Sequence, residues 1–392
     1  MIRYRYIWYL IVTGSLATAC RKPYNPTIVS SDNSYLVIEG VINSGSDPTV
    51  IKLSKTTKIS DNIQTSTLVN YIVNVEDEAK NAIVLQSGNN GQYTSGGGLN
   101  LDVTKKYRLH IITPDGKEYA SDYEPVKPTP PIDSIGFAPK DGNLQIYVNA
   151  HDATNNTRYY RWDFNEAWKF HSNFQSDFVV DPNLRAVTLR TKDQLAYYCY
   201  ASDSSSNILI NSTAKLGQDV VFQAPITTIP SSSERIELRY SILLKQYALT
   251  KEAYAFWENM KKNTEQLGSI FDAQPSQLIG NIHCVSNPAE PVIGYISVTN
   301  ISTKRIYIDN SQLPQSWITK SPYDCSIDSA LFLNPKNNAQ EVENYIINGS
   351  GIPLGQIMGK MNNVIGFTYS TIECSDCRIR GKSQPPSFWI AK

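Results

Sequence analysis

After residue 34 the chain breaks into short apolar runs that alternate with polar turns. Tyr35–Ile42 is β-rich and ends in a Gly/Ser/Asp/Pro turn, and Val50–Leu53, Tyr71–Val75 and Gly91–Tyr93 repeat the pattern. Tyr107–Ile112 and Lys117–Ala120 flank Thr113-Pro114-Asp115-Gly116, in which each residue has a turn role, so the pair predicts a β-hairpin. Short strands at this spacing predict a small β-sandwich over residues 35–124.

Prolines 125, 128, 130 and 131 then interrupt the pattern. Proline favours extended backbone and cannot donate to a ladder, so 125–131 is expected to link two domains. Residues 132–392 predict a larger β-rich domain with at least one helix. Tyr159–Phe170 alternates with period two, which puts Tyr160, Trp162, Phe164, Trp168 and Phe170 on one face, interrupted by Glu166. Arg161, Asp163, Asn165 and Lys169 fall on the other face. The aromatic face reads as core, because burying it would supply much of a sandwich's stability; the sharper alternative is a platform that stacks on sugars. Ile236–Leu244, Val292–Thr299 and Arg305–Ile308 are further strand candidates. A helix is expected over 251–267, with Thr250 as its cap, Gly268 after its end, and Ala253, Trp257, Met260, Thr264 and Leu267 on one face.

The first twenty residues have a different character. Arg3 and Arg5 precede an apolar stretch from Ile7 to Val12, and small residues lead to Leu16-Ala17-Thr18-Ala19-Cys20. That run is too short to span a bilayer, which takes ~20 apolar residues, and it reads as a signal peptide over 1–19. Small residues before a cysteine suit lipoprotein processing. Cys20 is therefore the expected lipidation site, and 20–34, with Pro23 and Pro26, the tether. Lipid on Cys20 would anchor the mature chain to a membrane, with the outer membrane expected and its face left open.

Composition narrows the chemistry. Charged residues make up 18% of the 392, below the usual ~25%, and tyrosine is abundant at 24. Without Arg3 and Arg5 the chain holds 34 basic and 36 acidic residues, so nothing draws it to nucleic acid. The four histidines form no HExxH pair, and no G-x-S-x-G nucleophile motif occurs. No cofactor, metal site or catalytic residue is expected. Five cysteines follow Cys20, and an exported location permits disulfides. Cys374 and Cys377 are expected to be oxidised, with Cys284 and Cys325 as preferred partners and a local 374–377 bridge left open. Cys374-x-x-Cys377 is also half of a zinc or redox site, but zinc would need a second pair.

Gly91–Tyr119 is similar to the immunoglobulin-like or transthyretin-like modules of exported proteins. Further on come Arg239–Tyr247, Tyr254–Trp257, Gln274–Asn281, Gly294-Tyr295, Cys374-Ser-Asp-Cys377 and Pro386–Trp389. Together with the N-terminal sandwich, these resemble the Bacteroidota lipoprotein family catalogued as domain of unknown function 4249. The resemblance implies an outer-membrane lipoprotein acting beside a TonB-dependent transporter, and it assigns no catalytic residues. The expected role is non-enzymatic: accessory substrate binding or delivery in TonB-dependent uptake. A stand-alone glycan-binding or adhesion lipoprotein is the alternative, and a hydrolase with an unrecognised site the third reading.

Overall fold

A computed structural model describes residues 35–57, 68–265 and 279–390. The signal peptide 1–19, Cys20 and the tether 20–34 lie outside the described residues. So do Leu267, Gly268 and residues 274–278 of the Gln274–Asn281 motif.

In chain order the strands begin with β1 (Leu36–Asn43), β2 (Val50–Lys55), β3 (Ile72–Asp77), β4 (Ala82–Ser87), β5 (Gln92–Thr94), β6 (Lys106–Ile112), β7 (Glu118–Ser121) and β8 (Glu124–Pro125). There follow β9 (Ile132–Lys140), β10 (Asn143–His151), β11 (Tyr159–His171), β12 (Phe178–Asp181), β13 (Ala186–Leu189), β14 (Tyr198–Ser204), β15 (Leu209–Ser212), β16 (Val220–Pro230) and β17 (Arg239–Ala248). Helix α1 (Lys251–Glu265) precedes β18 (Ile282–Cys284), β19 (Val292–Ile293), β20 (Val298–Thr299) and β21 (Ser302–Asp309). The last strands are β22 (Asp328–Leu331), β23 (Ile352–Met358) and β24 (Val364–Ser370). The fold is mainly β.

The first sheet runs β18-β7-β6-β3-β4-β5-β2-β1-β19, with β8 on β6 and β20 on β1. Residues from both ends of this path, such as Ile38 and Ile111, share one core, so the sheet folds over on itself as a sandwich. The predicted hairpin closes through Thr113 N–H to the Lys117 carbonyl at 2.9 Å, with Gly116 at φ +83°. The domain boundary differs from the expected one. β18, β19 and β20 belong to this first sandwich although they follow α1, and Ile282, Val292, Ile296 and Val298 complete its core. The chain then crosses back, since β21 pairs with β17 of the second sandwich, so the two sandwiches are interleaved along the sequence.

That second sandwich packs β16-β10-β9 against β14-β11-β17-β21. Tyr160, Trp162, Phe164, Trp168 and Phe170 of β11 are all buried between the two sheets. The aromatic face therefore packs as core, with Trp162 and Phe164 also reaching the walls of cavities. Glu166, on the same face, is also buried; it accepts the Tyr240 hydroxyl at 2.6 Å and meets Arg235 Nη1 at 2.8 Å. A smaller unit joins β22-β24-β23 to the β12–β13 hairpin around Ala330, Val342, Ile346 and Phe367.

Residues 125–131 are extended, yet they form a packed seam and not a free linker. Thr129 is buried; its Oγ1 accepts the Ala248 N–H at 2.9 Å and lies 2.7 Å from Thr299 Oγ1. Gln246 Nε2 donates to the Pro130 carbonyl at 2.9 Å. The proline run thus spends its carbonyls on both sandwiches.

The cysteines divide by core. Cys199 bonds to Cys377 and Cys325 to Cys374. Cys284, expected as a partner, is instead a buried free thiol opposite Tyr119 in the first sandwich. Its two expected partners, Cys374 and Cys377, lie outside that core, and Cys199 on β14 takes its place beside Cys377.

Candidate functional site

A cavity lies where the two sandwiches and α1 meet. It has a volume of about 360 Å³. One wall is β1 from Val37 to Gly40, with Ile293–Tyr295 beside it; another is Arg161–Asp163 of β11; α1 contributes Phe256, Trp257 and Met260. Residues 205–209 close the rim. The edge strand that pairs with β11 is broken here: β14 covers residues 165–171 and β15 covers 159–162.

Local sequence places α1 here. Thr250 Oγ1 accepts the Ala253 N–H at 3.2 Å, which starts the helix. Ala253 and Phe256 are buried against Tyr247, Leu249 and Tyr295, while Trp257 and Met260 flank them. The expected 4-3 spacing includes Trp257 and Met260 but misses Phe256, which lies between two members of that face.

Arg161 is the central polar group. Its guanidinium carbon lies 4.5 Å from the centre of the Tyr247 ring and 4.4 Å from that of Trp257, so two aromatic faces clamp it. Nη2 is 3.4 Å from Asp163 Oδ2, and Lys245 Nζ is 4.0 Å from Asp163 Oδ1. Burial raises the Tyr247 hydroxyl above its ordinary range, so it stays a neutral donor beside Asp163. The cleft therefore presents a fixed cation, a carboxylate and an apolar wall. Arg161 and Asp163 read in sequence as an ordinary outward face; only the helix and β1 crossing above them make a site.

Below the cleft, Glu124 ties the returning chain to the first sandwich. Its Oε1 accepts Asn281 Nδ2 at 3.0 Å and the Tyr295 hydroxyl at 2.8 Å. Asn281 in turn pairs with the backbone of Ile296 in both directions at 2.9 Å. Gly294, between β19 and β20, has φ +144° and leaves no room for a Cβ against the Ile38 carbonyl. These motif residues stitch the fold. Burial raises the Glu124 carboxyl above its ordinary range, against the lowering effect of its two hydrogen bonds. A raised native value means that the folded state holds its proton more tightly than the unfolded chain. Stability is then fullest below the unfolded value of ~4.3 and falls as pH rises through the native one. Glu124→Gln keeps the Oε1 acceptor and removes the charge. It should raise the melting temperature more at roughly pH 8 than at roughly pH 4. An equal shift at both would show that the carboxyl carries no such penalty.

The histidines do not gather. His110 Nδ1 faces Glu76 at 2.6 Å and Nε2 faces Glu118 at 2.7 Å, on the first sandwich. His151 pairs with Asp133, and His283 lies 3.4 Å from Asp122. Among the described residues no group of three His, Cys, Asp or Glu could hold a metal ion. Among them, too, no helix is long and apolar enough to cross a membrane.

Fold and cleft together define a β protein of two interleaved sandwiches with a small pocket at their junction. The chain belongs to the family described as Domain of unknown function (DUF4249), which it matches over residues 21–305. That span covers the first sandwich, the cleft and the second sandwich as far as the middle of β21. No curated protein matches it. Among solved structures, it is similar at 7% identity to a "putative carbohydrate binding protein" from Bacteroides uniformis ATCC 8492, over 56% of this chain and 91% of that one, with a TM-score of 0.15.

Proposed function

We propose that this chain is a lipid-anchored, extracytoplasmic binding protein that holds a small amphipathic ligand in the cleft for a TonB-dependent outer-membrane uptake system, without chemical turnover. The observation that carries the reading is the clamped Arg161 in its cavity. Small-molecule sites are typically clefts of ~300–1,000 Å³ with apolar walls and a few placed polar groups. At about 360 Å³, with Trp257, Phe256 and Met260 opposite Arg161 and Asp163, the cleft has that make-up. Ring packing holds the guanidinium in one orientation, which lowers the cost of ordering it around a ligand. Support for the anchor comes from Leu16–Cys20, since two or more lipid chains at ~0.8 kcal/mol per buried CH₂ hold a protein firmly. Support for the uptake partner comes from the family resemblance.

The test uses the full chain in its native envelope. Detergent extraction and affinity purification should recover a barrel transporter with the protein. Native mass spectrometry of the same sample should release a small molecule from the wild type that is missing from Trp257→Ala. Cys20→Ala should leave the membrane fraction. Recovery without any transporter at native expression counts against the uptake role, and identical spectra for wild type and Trp257→Ala count against the cleft.

A further inference from the structure

We propose that the chain carries a second binding site, at the opposite end of β11 from the cleft, that takes a segment of a neutral oligosaccharide. Ten residues separate Arg161 from His171, which at ~3.3 Å per strand residue puts the two sites roughly 30 Å apart. The inference is independent of what the cleft binds.

His171 ends β11 and pairs with Tyr198, the first residue of β14. Its imidazole stacks on Tyr197 with ring centres 4.9 Å apart and planes at 16°. Tyr198 meets Tyr197 edge-on at 4.7 Å, and Lys169 Nζ sits 4.6 Å from the centre of the Tyr198 ring. Tyr198 is nonetheless 50% exposed. This cluster of rings stands between two cavities. The first, of about 260 Å³, is lined by Leu195, Tyr197, Tyr198, Gln175 and Gln384. The second, of about 480 Å³, is lined by His171, Glu237, Asn310, Trp317, Lys320 and Arg380. Tyr197 lines the first and His171 the second, so one stacked pair is the partition.

Charge decides which ligand fits. Glu234 and Glu237 in the second cavity stand against Lys320 and Arg380; in the first Asp193 stands against Lys192. Arg380 is already committed, bonded to Glu234 and packed 4.7 Å from the centre of the Phe170 ring. The balance favours neither a phosphate nor a cation. Glu237 is engaged too, by the His171 backbone N–H at 3.0 Å and its Nε2 at 3.4 Å, so what remains is a set of amides, the Asp193 carboxylate and ammonium groups beside flat rings. A pyranose has the matching surface: a C–H face that packs on an aromatic ring, and hydroxyls that both donate and accept around its edge. Two cavities in succession suit more than one sugar residue.

The walls are fixed before any ligand arrives. The Cys199–Cys377 disulfide adjoins Tyr198, and the Cys377 N–H donates to the Ala196 carbonyl at 2.9 Å. Tyr200 and Lys382 exchange both backbone hydrogen bonds at 2.8 Å. Residues 195–198 and 380–384 are thereby tied together, and the rings lose little freedom on binding.

The test is titration calorimetry of the full mature chain with short gluco-, xylo-, manno- and galacto-oligosaccharides. At least one should bind. Tyr198→Ala should weaken it by roughly tenfold, Tyr198→Phe should retain most of the affinity, and Trp257→Ala in the cleft should leave it unchanged. If Tyr198→Ala lowers the melting temperature, Gln384→Ala on the opposite wall replaces it. No binding by any of the series at millimolar concentration overturns the proposal. So does binding that survives Tyr198→Ala and Gln384→Ala. Binding lost only in Trp257→Ala moves the sugar to the cleft and equally removes the second site, while leaving the cleft reading intact.

Discussion

Residues 35–124 expressed alone are expected to give a collapsed product without a cooperative unfolding transition, although they contain seven complete strands of the first sandwich and its best hairpin. The missing part comes from residues 282–299. β19 and β20 run parallel to β1 and occupy its outer edge, at Leu36–Val37 and Ile42–Asn43. β18 occupies the edge of β7. Without them the fragment has two open strand edges, each ready to pair with another copy. It also lacks Ile282, Val292, Ile296 and Val298 from its core. At ~1.5–3 kcal/mol for each fully buried aliphatic side chain, that loss is about 6–12 kcal/mol. A whole domain is stable by only ~5–15 kcal/mol, so the deficit is decisive. Fusing residues 279–300 to the fragment 35–131 through a flexible linker should restore a sharp thermal transition and dispersed amide resonances. A sharp transition in residues 35–124 by themselves would sink this account.

The same contrast shows what the sequence made legible. The 113–116 hairpin is written in four adjacent residues, and the alternation of Tyr159–Phe170 in twelve. Both are local signals, and both appear in the structure. The return of β18–β20 to the first sandwich has no local signal, because its partners on β1 and β7 lie more than a hundred residues upstream. The proline run marked a real change of core, but proline chemistry says nothing about whether the chain later comes back. Cys325 pairs with Cys374 as expected, and only the Cys284 part of the cysteine pairing failed, for the same reason. Cys284 belongs to the first core only because β18 returns there, and that return removes it from reach of Cys325, Cys374 and Cys377. Glu166 was visible as the polar break in an aromatic face; its partners Tyr240 and Arg235 were not. The cleft was the least legible part. Arg161 faces outward in a regular pattern, and its role depends on Trp257, which is close only through the packing of α1. The Tyr197-Tyr198 pair carried a signal that could have been read, namely two adjacent rings beside a cysteine.

Replacing the Cys199–Cys377 bridge by alanine at both positions is expected to cost on the order of 2–5 kcal/mol, read as a lower urea midpoint. The two cysteines are separated by 178 residues, so the bridge closes a long loop in the unfolded chain, and in the loop-closure account longer loops gain more. Both side chains are fully buried, so the double variant also leaves space that neighbouring Phe170 and Tyr240 fill only by shifting. The Cys325–Cys374 bridge spans 49 residues and ties the smaller unit; its removal should cost less and leave the second sandwich intact. Beyond Cys377 the chain lies across the outer face of β14, β17 and β21. The Tyr307 hydroxyl donates to the Phe388 carbonyl and Arg239 Nη1 to that of Ile390, both at 2.6 Å, while Trp389 packs edge-on against Tyr200 and Tyr307. Phe388 and Ile390 stay exposed. Arg305 over the Phe388 ring and the paired Tyr200 and Lys382 backbones add to these contacts, and the segment is expected to loosen once the bridge at its root is gone. Limited trypsin digestion of the 199/377 double variant should therefore cut first at Arg380 or Lys382, under conditions where the wild type is intact. A first cut inside either sandwich, or an unchanged urea midpoint, would show that packing and not the bridge holds the C-terminal segment.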